Sequence, residues 1–111
     1  MISARSEHLR QYDVVRHPNV NVRSVKPFLI VLQARYFDYF ATRVVAPLVP
    51  KLSITPNKRL NPGFVVQGQS VVFIPTDLAN VPVSRLGEPV ANLSSADTRI
   101  LDALDLEFSI A

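Results

Sequence analysis

Apolar positions fall in short, dense runs for most of the chain and take up a helical spacing only near its end. From Tyr12 to Arg16, apolar and polar side chains alternate loosely, which predicts a first strand that His17-Pro18-Asn19 ends, since proline cannot donate to a ladder and asparagine tolerates turns. Asn19 to Pro27 reads as a loop. Phe28-Leu29-Ile30-Val31-Leu32 is too short and too branched for an amphipathic helix, and predicts a central strand buried on both faces. Tyr36-Phe37-Asp38-Tyr39-Phe40 is an aromatic cluster at a turn after it. Arg43 to Leu48 predicts a further strand in which Pro47 implies a bulge or an edge position, and Pro50 to Pro62 reads as loop or a short edge strand. Phe64-Val65-Val66, Gln67-Gly68-Gln69 and Ser70 to Ile74 read as strand, turn and strand, the clearest hairpin in the chain. Two more short runs, Leu78 to Val83 and Leu86 to Val90, precede the final segment.

Ser94 to Ala111 carries the helical pattern. Ser94 is placed to cap the first turn, with Asp97 as the capping-box acid near the positive helix end. At ~100° per residue, Ile100, Leu101, Leu104 and Phe108 form one apolar stripe. Ala103, Leu106 and Ile110 form a second patch, and Asp102, Asp105 and Ser109 take the remaining face. One stripe suffices to anchor a helix on a sheet, so the second patch points to another protein surface. The expected architecture is α+β: short antiparallel strands making a small barrel or open sheet, followed by one helix. Residues 1–10 are polar and without period, so a flexible N-terminal extension is expected there, with a single domain over residues 11–111.

Composition narrows the function. A hydrophobic share of 48% against 19% charged is that of a globular domain rather than a disordered chain. With no cysteine and two histidines, His8 and His17, neither thiolate zinc sites nor a His-rich metal centre can be assembled. The absence of cysteine is compatible with a reducing cytoplasm. No apolar run approaches the ~20 residues of a membrane span. The net charge of +3 comes from basic residues scattered through the first part, while acids gather at Asp97, Asp102, Asp105 and Glu107. No aromatic-interleaved basic run accompanies them, so solvated surface is the favoured reading over nucleic-acid binding. The three glycines make no phosphate loop, and no Cys or His nucleophile pair exists. Asp13, Asp38, Asp77 and Arg43 are the residues from which a metal-free ribonuclease site could be imagined.

Thr76-Asp77-Leu78-Ala79-Asn80-Val81-Pro82-Val83-Ser84, followed by Leu86-Gly87-Glu88-Pro89-Val90-Ala91-Asn92-Leu93-Ser94, resembles the CcdB family of plasmid and chromosomal toxins. In that family a Thr-Asp-Met-Ala-x-Val-Pro-Val-Ser segment leads through Ile-Gly-Glu-x-Val-Ala-x-Leu-Ser into the C-terminal helix. Phe28 to Gln33, Arg43 to Leu48 and Gln11 to Val14 are similar to its earlier strands, so the resemblance runs from about Gln11 to Phe108. It implies an SH3-like barrel, a homodimer without cofactor or metal, and a plasmid-maintenance toxin that is not an enzyme. The implied partners are the A subunit of DNA gyrase, a topoisomerase II, and a CcdA-like antitoxin with a disordered tail.

Carried over by position, the resemblance implies gyrase contacts at Asp105, Phe108, Ser109, Ile110 and Ala111. It implies antitoxin contacts at Tyr36, Phe37, Asp105 and Phe108, with Ala103, Leu106 and Ile110 at the dimer interface. Here the well-known member ends Phe-Trp-Gly-Ile and this chain has Phe108-Ser109-Ile110-Ala111. A serine cannot stack or bury area as an indole does. Three readings therefore stand: a gyrase-directed toxin, a family homologue that no longer poisons gyrase, and a ribonuclease like the MazF toxins.

Overall fold

The computed structural model describes residues 9–32 and 42–108. Among these, seven antiparallel strands form a nearly closed, barrel-shaped sheet with one C-terminal helix. The strands are β1 (Asp13–Arg16), β2 (Phe28–Val31), β3 (Thr42–Pro50), β4 (Gly63–Val66), β5 (Gln69–Phe73), β6 (Ala79–Pro82) and β7 (Ala91–Asn92), and the helix is α1 (Asp97–Phe108). Their order is β4-β5-β3-β2-β1-β7, with β6 paired to β3. The expected α+β barrel with a terminal helix is what the chain forms.

Alternation along the strands makes two cores, because successive side chains point to opposite faces of a sheet. Val14, Phe28, Ile30, Ala46, Leu48 and Phe73 line the face that receives Ile100 and Ala103 of α1. Val15, Leu29, Val31 and Val45 line the other, covered by Leu9 and Leu86. All four residues of β2 are buried, as a strand apolar on both faces must be. Leu9, within the stretch read as an extension, is 1% exposed and belongs to the second core. A lone leucine between charged neighbours carries no period and left no trace in the pattern.

Pro47 does not mark an edge or a bulge. β3 is central: it pairs with β2 on one flank, and on the other with β6 through Thr42–Val45 and with β5 through Leu48–Pro50. The Pro47 carbonyl accepts from the Ile74 N–H at 3.1 Å. In an antiparallel strand a residue's N–H and C=O point to the same flank. The missing donor of Pro47 therefore faces the gap between β6 and β5, where no ladder bond is lost.

The β4–β5 hairpin turns in two residues rather than three. Gln67 (φ 50°) and Gly68 (φ 77°) are both left-handed, the mirror-image turn that matches strand twist, and Gln69 already belongs to β5. Leu86 to Val90 is not a strand; its role is to bury Leu86 and lead into the two-residue β7. Tyr12 is the other non-glycine residue at positive φ, 70°. It sits in a turn closed by Asp13 N–H to the Arg10 carbonyl at 3.0 Å, and held by Arg10 N–H to Asp13 Oδ2 at 2.8 Å. A left-handed tyrosine costs about 1–2 kcal/mol. Offsetting bonds run from its N–H to the Val31 carbonyl (2.6 Å) and from the Leu93 N–H to its own carbonyl (2.9 Å).

Candidate functional site

A 3-10 turn, Ser94–Ala96, runs directly into α1. Asn92, not Ser94, caps this entry: its Oδ1 accepts the Ser94 N–H at 2.8 Å while its Nδ2 donates to Asp13 Oδ1 at 2.9 Å. The carboxylate of Asp97 accepts the hydroxyl of Tyr12 instead of reaching back to the helix start. One polar cluster thus joins the first strand, the last strand and the helix. Burial pushes the Tyr12 phenol up to about 12, with help from its bond to Asp97 and from that carboxylate's charge.

The two helix patches divide differently from the expectation. Ile100 and Ala103 are both 0% exposed and enter the core, with Ala96 and Leu104 packed beside them. Ala103 therefore has no surface to give a second copy. Its small side chain lets the helix approach the sheet closely, and a longer one would hold it away. Leu101 (45% exposed) and Phe108 (65% exposed), expected as anchors, face outward, with Asp105 exposed between them. Positions i, i+4 and i+7 share one helix face, so Leu101, Asp105 and Phe108 make a single outward stripe: two apolar groups and one carboxylate. Leu106 is half-buried. Tyr36, Phe37, Ser109, Ile110 and Ala111 lie outside the described residues.

Arg99 fixes the helix to the sheet edge. Its Nη2 donates to the Gly63 carbonyl at 2.7 Å, and its guanidinium lies 4.7 Å from the centroid of the Phe64 ring. Nothing in the pattern singled out this residue, because both of its partners sit more than thirty positions earlier.

Of the residues considered for ribonuclease chemistry, Asp13 and Asp77 line separate clefts. Asp13 is engaged with Arg10 and Asn92, and Asp77 forms an ion pair with Lys26 at 2.9 Å in a different cleft. Arg43 is 1% exposed within β3, and Asp38 lies outside the described residues. Among the described residues no group of three or more His, Asp or Glu is placed to hold a metal, and no helix is long and apolar enough to cross a membrane.

On the second face, His17 sits among Arg23, Lys26 and Arg85. Burial lowers its pKa, and the charges of Lys26, Arg23 and Arg85 lower it further. The neutral ring accepts the Asn19 N–H on Nδ1 at 3.1 Å, and Asn19 in turn caps the 3-10 turn Val20–Val22.

Compared with known families, residues 11–109 match the model described as CcdB protein.

Proposed function

The chain belongs to the CcdB family, toxins of toxin–antitoxin systems, and from that premise we propose that it binds the A subunit of DNA gyrase through the outward stripe of α1. A CcdA-like antitoxin covers the same stripe and so neutralises it. In this reading the protein acts as a binding poison, not as an enzyme, and works as a homodimer. Leu106 and Ile110 remain its helix contacts to the second copy, and Tyr36 and Phe37 extend the antitoxin surface.

The observation that carries the reading is the exposure of Leu101, Asp105 and Phe108 on a helix whose anchoring is already provided by Ile100, Ala103 and Leu104. Phe108 alone offers about 1–2 kcal/mol of apolar burial to a partner. Asp105 sets a charge between the two apolar groups, which favours a partner presenting a donor at that point. Ser109, Ile110 and Ala111 would continue the gyrase contact beyond Phe108.

The test is a supercoiling and DNA-cleavage assay with purified gyrase. Inhibition or stabilised cleavage is expected, weakened about tenfold or more by Phe108→Ala and relieved by the antitoxin. Unaffected gyrase at saturating protein refutes it. One sequence feature favours a second reading, a family member that binds antitoxin without poisoning gyrase: Ser109 stands where the family's tryptophan would supply its largest contact. Expression without antitoxin separates the two, since growth arrest supports the first and unimpaired growth the second.

A further inference from the structure

Away from α1, a cleft of about 530 Å³ opens between the segment that follows β1 and the β4–β5 turn. Arg16, Arg23, Gln67 and Gln69 form its walls, and Pro27 and Phe28 its floor. Both guanidiniums are oriented by the chain itself. Arg16 Nη2 donates to Gln67 Oε1 at 3.3 Å, and Arg23 Nε donates to the His17 carbonyl at 2.7 Å. Each tether uses one of the five N–H donors that a guanidinium carries, leaving the rest of the fork for a ligand. Among the described residues no carboxylate lines the cleft. The positive field extends past it, since Lys26 and Arg85 join Arg23 around His17.

The lining also says which anion fits. Two guanidiniums match the oxygens of a phosphate, which planar forks grip in pairs. The carboxamides of Gln67 and Gln69 carry both donor and acceptor, as needed for a base edge or a sugar hydroxyl. The volume lies within the range of small-molecule clefts, about 300–1,000 Å³, and exceeds what one carboxylate fills. An acidic peptide would find little apolar area to anchor it, because Phe28 is only 4% exposed.

We propose that this cleft binds a nucleotide phosphate, with Arg16 and Arg23 on the phosphate oxygens and Gln67 and Gln69 on the sugar or base. The ligand is a free nucleotide or one nucleotide of a strand. The site is independent of the helix stripe and of any action on gyrase.

Fluorescence anisotropy of the full chain with a labelled single-stranded oligonucleotide, at about 50 mM salt, tests it. The Arg16→Ala/Arg23→Ala variant should bind at least about tenfold more weakly, with the salt dependence flattened by about 1–2 in the log–log slope. Lys58→Ala/Arg59→Ala removes the same charge from a different cleft and should stay within about twofold of the parent. Arg16→Lys/Arg23→Lys, which keeps charge and loses the fork, should fall between, and circular dichroism confirms that each variant is folded. Competition by ATP or AMP as effective as by strand identifies a free nucleotide; competition by strand alone identifies nucleic acid, and both support the site. Equal weakening by the two alanine pairs, competition by an oligoglutamate peptide matching that of nucleotides, or absence of binding overturns it.

Discussion

Replacing Ile100 by alanine removes the side chain on which α1 turns into the sheet. Ile100 is 0% exposed among Tyr12, Val14 and the other residues of the first core. At about 0.8 kcal/mol per buried CH₂, the lost transfer energy is about 2.4 kcal/mol. The cavity left behind raises the total to about 3–4 kcal/mol, since a close-packed core relaxes only in part. Leu101, one residue on and equally apolar, is 45% exposed. Its truncation forfeits about half the transfer term and leaves no cavity, about 1 kcal/mol. Urea unfolding followed by circular dichroism should therefore show the midpoint of Ile100→Ala falling by about 1.5–2 M, and that of Leu101→Ala by about 0.5 M. Equal losses for the two variants would refute the division of the helix into an anchoring and an outward face. So would a larger loss for Leu101→Ala.

Three other outcomes follow from single contacts. Tyr12→Phe keeps the left-handed turn but deletes the hydroxyl bond to Asp97, and should cost about 1–2 kcal/mol in the same unfolding assay. Folding raises the Tyr12 pKa to about 12, so its contribution is complete below about pH 10 and is lost as pH climbs toward 12. An ultraviolet titration should accordingly show a phenol ionising late. Folding lowers the pKa of His17, so its contribution is present above about pH 6.5 and is lost as pH falls through the folded value. In an NMR titration Arg85→Ala should move that value back upward. Arg99→Ala removes both the Gly63 bond and the Phe64 stacking; about 1 kcal/mol of stability should go, with faster hydrogen exchange concentrated in β4.

What could be read from the sequence was what depends on near neighbours. The continuous apolar run at Phe28–Leu32 located the strand buried on both faces, and Gln67-Gly68-Gln69 located the hairpin, though one residue too wide. The periodic segment after Ser94 located the helix. Features set by partners far along the chain were not legible. Helical spacing alone does not say how a helix tilts, so Leu101 and Phe108 looked like anchors while the small Ala103 took the core position. Pro47 looked like an edge because a sequence does not show that β5 and β6 meet opposite it. Ser94 looked like the cap because Asn92, two residues earlier, had no visible reason to turn toward Asp13. The arginines of the cleft were hidden by their spread: Arg16 and Arg23 share a cleft with Gln67 and Gln69 only once β1 and the β4–β5 turn are placed side by side.

The bond between Tyr12 and Asp97 joins residues 85 positions apart, and β7 zips onto β1 at Val14 and Ala91. The opening strand thus waits for almost the last residues before its outer edge is closed. Until α1 docks, the core that receives Ile100 and Ala103 stays uncovered. Closure that joins residues so far apart is slow, so the first core and the outward face of α1 take shape together, late in folding.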